Sequence, residues 1–101
     1  MKFKVRLTWE AQQDILEARR WYRSINPLLG KRFTADAHKA LKEIQHTPFA
    51  YSAVDDMLRS HALSIFPYSY QYHIHDEEQI IITGLYHQSR NPSIWRKTNI
   101  E

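Results

Sequence analysis

Residues 2–8 alternate strictly between polar and apolar side chains. Phe3, Val5 and Leu7 fall on one side and Lys2, Lys4 and Arg6 on the other, the mark of a strand with one buried face. From Trp9 the period lengthens. Ala11, Ile15, Ala18, Tyr22 and Ile25 recur at spacings of 4, 3, 4 and 3, which puts them on one stripe of an amphipathic helix over about 9–25. Thr8 is placed to cap that helix. Glu10, Asp14 and Glu17 crowd its early turns and Arg19, Arg20 and Arg23 its late ones, each matching the helix dipole. Asn26-Pro27 ends it and starts a second helix over about 27–46, with Asn26 as cap and Pro27 in the first helical position. Leu29, Phe33, Ala37, Ala40, Leu41 and Ile44 carry the second apolar stripe, and Thr47-Pro48 stops it.

Residues 48–56 read as a loop and 57–62 as a short strand bounded by loop signals. Phe66, Tyr68, Tyr70, Tyr72 and Ile74 then alternate with Pro67, Ser69, Gln71, His73 and His75, a strand over 66–75 with one aromatic face. Asp76-Glu77-Glu78 is a polar hairpin tip. Residues 79–87 follow, nearly continuous in apolar side chains at Ile80, Ile81 and Ile82, as expected of a central strand covered on both sides. Residues 88–101 are mixed, with Trp95 as the anchor. The order β-α-α-β-β-β predicts one α+β domain over 1–101: an N-terminal strand, a helical hairpin, then a three-stranded antiparallel meander, with the helices on one face of the sheet.

Composition narrows the class. The 101 residues hold 14 Lys+Arg against 11 Asp+Glu, a net charge of +3, and 43% are hydrophobic. This excludes collagen-like, low-complexity and wholly disordered chains. Without cysteine there is no disulfide, thiolate metal site or cysteine nucleophile, which fits a cytoplasmic address. The longest aliphatic run is Ile80–Ile82, so neither a secretory leader nor a membrane span is expected. Residues 1–50 carry ten Lys/Arg and five Asp/Glu, and residues 51–101 four and six. The basic excess lies in the helical half.

Several short motifs stand in a telling order: Ala11-x-x-Asp14-Ile15, Asn26-Pro27, Arg32-Phe33, Pro48, Arg59 ahead of Phe66-Pro67-Tyr68, the tyrosine-rich strand to Tyr72, and His87-x-x-Arg90-x-Pro92. Together they resemble the ParE-like branch of the RelE/ParE toxin superfamily, the toxin halves of type II toxin–antitoxin modules. The resemblance covers nearly the whole chain. It implies a small toxin that needs no cofactor and forms a hetero-oligomer with a cognate antitoxin, whose C-terminal segment wraps the toxin. It also implies one of two activities: inhibition of DNA gyrase by binding, or cleavage of mRNA on the ribosome by a metal-independent endoribonuclease.

The residues can be weighed between these. A ribonuclease of that kind needs a group to take the 2′-OH proton, cations for the phosphate and an acid for the leaving oxygen. His87 could serve as acid or base, and Arg59 and Arg90 as phosphate clamps, with His61, Tyr72 and Tyr86 nearby in sequence. The plainer reading gives the arginines structural or solvated roles and lets His87 close a strand. It is preferred because Arg59 is the only Lys or Arg between Lys42 and Arg90, a poor endowment for binding phosphates. The binding inhibitor therefore leads, with Arg90, Trp95, Arg96 and Lys97 as its target surface, an aromatic anchor among cations. Arg19, Arg20, Arg23 and Arg32, with Lys31, form a basic cluster at the helical turn. It is either a solvated face or a docking surface for the antitoxin or the gyrase. His61, His73 and His75 could hold zinc, but a solvated histidine face is preferred and no metal is expected. The aromatic stripe could stack bases, yet aromatics at strand period usually form core, so Tyr70 and Tyr72 are expected inside. Gly30, one turn into the second helix, departs from the family pattern.

Overall fold

The computed structural model describes residues 3–55, 57–76 and 78–88. Its elements are β1 (Lys4–Leu7), α1 (Trp9–Ile25), α2 (Pro27–His46), a 3-10 turn at Pro48–Ala50, β2 (Arg59–Ala62), β3 (Tyr68–Ile74) and β4 (Gln79–His87). The strands form one sheet in the order β1-β4-β3-β2. β2, β3 and β4 make the expected antiparallel meander, and β1 lies parallel to β4 with Val5 beside Ile80 and Leu7 beside Ile82.

Both helix starts follow from side-chain capping. The Thr8 hydroxyl accepts from the Ala11 N–H at 3.1 Å, and the Asn26 side chain accepts from the Leu28 N–H at 2.8 Å. Gly30 has a structural reason. A Cβ there would come within 2.9 Å of Arg23 Cβ, so the glycine lets the two helices approach closely just after their turn. Ile25 departs from the expected stripe: it sits in the last helical position before the turn and is 58% exposed.

The predicted second strand starts two residues late. The Asp55 carboxylate accepts from the N–H groups of Met57 and Leu58 at 2.7 and 2.9 Å, which draws those residues into a turn and leaves only Arg59–Ala62 to pair with β3. β3 likewise starts after Pro67. Asp36 on α2 is buried, and its carboxylate accepts from the backbone N–H groups of Ser64, Ile65 and Phe66 at 3.3, 2.9 and 2.8 Å, which pins the β2–β3 connection to the helix.

β4 is central but not covered on both sides. Ile80 and Ile82 are fully buried toward the helices, whereas Ile81 and Thr83 are half-buried on the open face. The pairing then skips Thr83, since Tyr72 faces Ile82 and Gln71 faces Gly84. This bulge turns Leu85 back onto the helix side, which strict alternation from Ile82 would not do. β1 has ended by this point, and helix side chains continue its bonding. The Thr8 hydroxyl donates to the Thr83 carbonyl, and Asp14 accepts from the Leu85 N–H at 3.1 Å. Burial pushes the Asp14 carboxyl above its ordinary range; Glu17 and Glu10 add to this and the Leu85 N–H opposes it. Gly84 on the open face lies under the Tyr86 ring, where a Cβ would meet the Tyr86 hydroxyl at 2.7 Å.

The core joins both helices to one face of the sheet, with Phe33, Ala37, Ala40 and Ile44 against Phe66, Tyr68, Tyr70, Tyr72, Ile80 and Ile82. Phe33 stacks on Tyr22 at 5.5 Å and meets Phe66 and Tyr68 edge-on at 5.5 and 5.4 Å. Tyr70 and Tyr72 are 0% exposed, so the aromatic stripe is core. Each satisfies its hydroxyl, Tyr70 donating to the Ala37 carbonyl at 3.1 Å and Tyr72 to the Pro48 carbonyl at 2.6 Å. Burial pushes Tyr72 up to about 12 from 10.0 and raises Tyr70 as well. Below pH 10 these phenols are neutral in both folded and unfolded chains. Above it the unfolded chain ionises first, so stability should fall between about pH 10 and 12, by about 2–3 kcal/mol from Tyr72 alone. Urea denaturation across that range checks this, and Tyr72→Phe should remove Tyr72's share of the loss while Tyr70's remains.

Candidate functional site

The two faces of the sheet offer different chemistry. The helix side carries Arg59, His61 and His87, which pair across strands with Tyr72, Tyr70 and Tyr68 and so share the face of those core tyrosines. Arg59 donates from Nη1 to the Tyr51 carbonyl at 2.9 Å and to the Phe49 carbonyl at 3.3 Å, with its guanidinium 5.4 Å from the Phe49 ring centre. It staples the 48–51 turn to the start of β2. His87 meets Tyr68 edge-on at 4.9 Å. Arg59 faces Tyr72 and His87 faces Tyr68, four residues apart along β3, so the two are separated by about 13 Å of strand. They do not meet. Arg90, Trp95, Arg96 and Lys97 lie outside the described residues.

His61 also fails to join its expected companions. Its Nε2 lies 2.8 Å from Glu43 Oε1 on α2, and its ring stacks on Tyr51 with centroids 3.7 Å apart. His73 alternates onto the opposite face, where its ring lies 6.5 Å from that of His75. The three imidazoles therefore do not converge. No group of three or more His, Asp or Glu among the described residues is placed to hold a metal.

The open face carries Lys4, Arg6, Ser60, Ser69, Gln71, His73, Ile81 and Tyr86. β1 thus brings two exposed cations that the count between Lys42 and Arg90 does not include. Arg6, Ile81 and His73 stand in one cross-strand row, so the arginine and the histidine are two strands, about 10 Å, apart with an isoleucine between them. Gln71 is buried at the centre of this face, and its Nε2 has no hydrogen-bond partner. Burial raises the Tyr86 phenol above its ordinary range, with a smaller contribution from Asp14.

The helical hairpin presents a third surface. Arg19, Arg20, Arg23, Lys31 and Arg32 are all exposed, and no ion pair engages them among the described residues. Sequence reasoning missed what lies among them: Trp21, Ile25 and Leu28 are 60%, 58% and 52% exposed. Trp21 and Ile25 are one turn apart on α1, and Leu28 follows just past the turn. Apolar residues ringed by arginines have the composition of interaction hot spots. The signal was Trp21 itself, off the apolar stripe and next to it.

A groove along the outside of α2 was also missed. It has a volume of about 660 Å³ and is lined by Ala35, His38, Lys39, Lys42, Glu43, His46, Thr47 and Tyr51. Glu43 is its one carboxylate, and both oxygens are engaged, Oε1 by His61 at 2.8 Å and Oε2 by Lys39 at 3.8 Å. Lys39 also donates to the Ser64 hydroxyl at 3.1 Å.

A hairpin of two helices on one face of a four-stranded sheet with a parallel N-terminal edge strand defines the RelE/ParE class of toxin folds. The fold matches the chromosomal ParDE toxin–antitoxin system of P. aeruginosa at 17% identity and a TM-score of 0.72, over 84% of this chain and 95% of that one. It also matches the RelBE2 toxin–antitoxin complex of Mycobacterium tuberculosis at 18% identity and a TM-score of 0.58, over 86% of this chain and 99% of that one. No relative is found among curated protein sequences. The model of the ParE toxin of the type II parDE toxin–antitoxin system matches residues 5–92, and the chain belongs to that family.

Proposed function

We propose that this toxin arrests growth by binding DNA gyrase, without catalysing a reaction, and that a cognate antitoxin neutralises it in a hetero-oligomer. The observation that carries the inhibitor reading is the separation of Arg59 and His87, the two ribonuclease candidates among the described residues. Arg59 is committed to the Phe49 and Tyr51 carbonyls, and His87 stands about 13 Å along the strand from it, on the side of the sheet that faces the helices. General acid–base catalysis needs its groups within hydrogen-bond reach of one reacting phosphate. The ParE family match supports the same reading. The C-terminal residues Arg90, Trp95, Arg96 and Lys97 supply the aromatic and cationic side chains of a target-docking surface.

An antitoxin partner is supported by the two neighbours, a ParDE system and a RelBE2 complex. Arg19, Arg20, Arg23 and Arg32, around exposed Trp21, form the surface assigned to it. β1 offers an edge for an added strand. β2 offers less, because Ala53 bridges to Arg59 and the Ser60 N–H donates to the Ser52 carbonyl at 2.9 Å. Neither role calls for a membrane: no helix among the described residues is long and apolar enough to cross one.

Induced expression in a bacterium tests the inhibitor reading. His87→Ala and His73→Ala should each leave growth arrest intact, whereas removal of residues 93–101 should weaken it in a protein that still folds by circular dichroism. In a ribonuclease, loss of the general acid or base would cost a factor of about 10²–10⁴ in rate and leave the host growing.

A further inference from the structure

The sheet has an edge at either side, and the chain closes them differently. At β2 the Ser52–Ala53 backbone covers the edge, since the Ser60 N–H donates to the Ser52 carbonyl at 2.9 Å and Ala53 bridges to Arg59. At β1, the outermost strand on the other side, side chains do it. The Lys4 N–H donates to the Glu78 carbonyl at 2.7 Å and the Thr8 N–H to the Ile82 carbonyl at 3.0 Å, so the even-numbered residues turn their backbone groups to β4. Phe3, Val5 and Leu7 therefore turn theirs outward. Glutamine side chains claim the first and last of these carbonyls. Gln45 Nε2, reaching from the end of α2, donates to the Phe3 carbonyl at 2.7 Å. Gln12 Nε2, from the start of α1, donates to the Leu7 carbonyl at 3.2 Å. The capped carbonyls stand about 13 Å apart along the strand. Val5, between them, keeps its outward N–H and C=O unengaged among the described residues. Gln12 is exposed, and an exposed amide that trades water for a carbonyl gains little stability, so the bond matters for what it excludes.

We propose that Gln12 and Gln45 guard the β1 edge: their amides occupy the places of an incoming strand's N–H groups and keep a second copy of this chain from pairing there. A second copy is the partner at issue because the β1 backbone is self-complementary. In an antiparallel pairing about Val5, each Val5 would meet the other, and Phe3 would meet Leu7 of the second copy, so every outward group would find a mate. The amides on Phe3 and Leu7 leave only the Val5 pair open, too short for a stable ladder. Charge adds a second bar. In that register Lys4 stands opposite Arg6 of the second copy, and both are exposed, so like charges meet on either side of Val5. Any strand that enters at β1 must first displace both amides. This closure belongs to the free chain and is independent of the toxin's target.

Sedimentation equilibrium of the purified full-length chain tests this. The wild type and Arg6→Glu should sediment alike, since the amides stand in both. Gln12→Ala with Gln45→Ala and Arg6→Glu opens the edge and turns both repelling pairs into Lys–Glu pairs. This triple variant should dimerise about 100-fold more tightly than Arg6→Glu alone, because the backbone bonds at Phe3 and Leu7 become available. Adding Val5→Pro should undo the gain. Proline removes the outward N–H at the centre of the new ladder and spares the bonds to β4. A triple variant that sediments like Arg6→Glu would overturn the proposal. So would a dimer that survives Val5→Pro, or one formed as tightly by Arg6→Glu with both glutamines present. Circular dichroism establishes that each variant is folded. Should alanine loosen β1, Gln12→Met with Gln45→Met and Arg6→Glu keeps the stems and the helix propensity, deletes both donors and carries the same expectations.

Discussion

Replacing Tyr72 by alanine should destabilise the domain by about 3–5 kcal/mol, a large share of the roughly 5–15 kcal/mol that holds a domain this size folded. The ring is 0% exposed in the core, Ile82 is its cross-strand partner, and its hydroxyl donates to the Pro48 carbonyl at 2.6 Å. Alanine would remove the ring's packing, open a cavity between sheet and helices, and leave that buried carbonyl without its donor. Tyr72→Phe keeps the packing and loses only the hydrogen bond, so it should cost about 1 kcal/mol. Urea denaturation of both variants separates the two contributions. If Tyr72→Ala melted like the wild type but lost RNA binding, the ring would be a base-stacking platform and the core assignment would fail.

Asp36→Ala should have the next largest effect, a loss of about 3 kcal/mol, because three backbone N–H groups share this one buried carboxylate. Asp36→Asn keeps one acceptor oxygen and should fall between alanine and the wild type. The damage should be local before it is global. Amide exchange should quicken first at Ser64, Ile65 and Phe66, the segment that Asp36 ties to α2. Uniform exchange across the chain would contradict this pinning role.

The fold was legible wherever one period ran unbroken. The alternation through Val5 and Leu7, the helical stripes through Ala18 and Phe33, and the aromatic alternation through Tyr70 all match the structure, because one solvent-facing and one core-facing side leave a direct record in the chain. It was less legible where side chains bond to backbone. Asp55 shortens β2 and Asp36 delays β3, and an aspartate that accepts from a distant N–H leaves no periodic trace. The bulge at Thr83 was readable in principle: the buried residues run Ile80, Ile82, Leu85 rather than keeping step two. The apolar run at Ile80–Ile82 hid it by suggesting burial on both faces.

The candidate site was harder to read for a physical reason. Arg59, His61 and His73 are close in sequence, but strand alternation sends His73 to the opposite face, and carbonyls and Glu43 claim the other two. Nearness along a meander says little about nearness in space. The groove on α2 was invisible for the complementary reason. His38, Lys42 and His46 read as an ordinary solvated helix face until Tyr51, folded back by the turn after Pro48, supplies the second wall.

What the purified toxin does to gyrase and to ribosomes separates an inhibitor from a ribonuclease most directly. It should be added, with and without its antitoxin, to a DNA gyrase supercoiling assay and in parallel to translating ribosomes programmed with a defined mRNA. The account predicts inhibition of supercoiling that the antitoxin relieves, retained by the His87→Ala protein, with the mRNA left uncut. Cleavage of the ribosome-bound mRNA by wild-type protein, abolished in folded His87→Ala and accompanied by unimpaired gyrase, would contradict it.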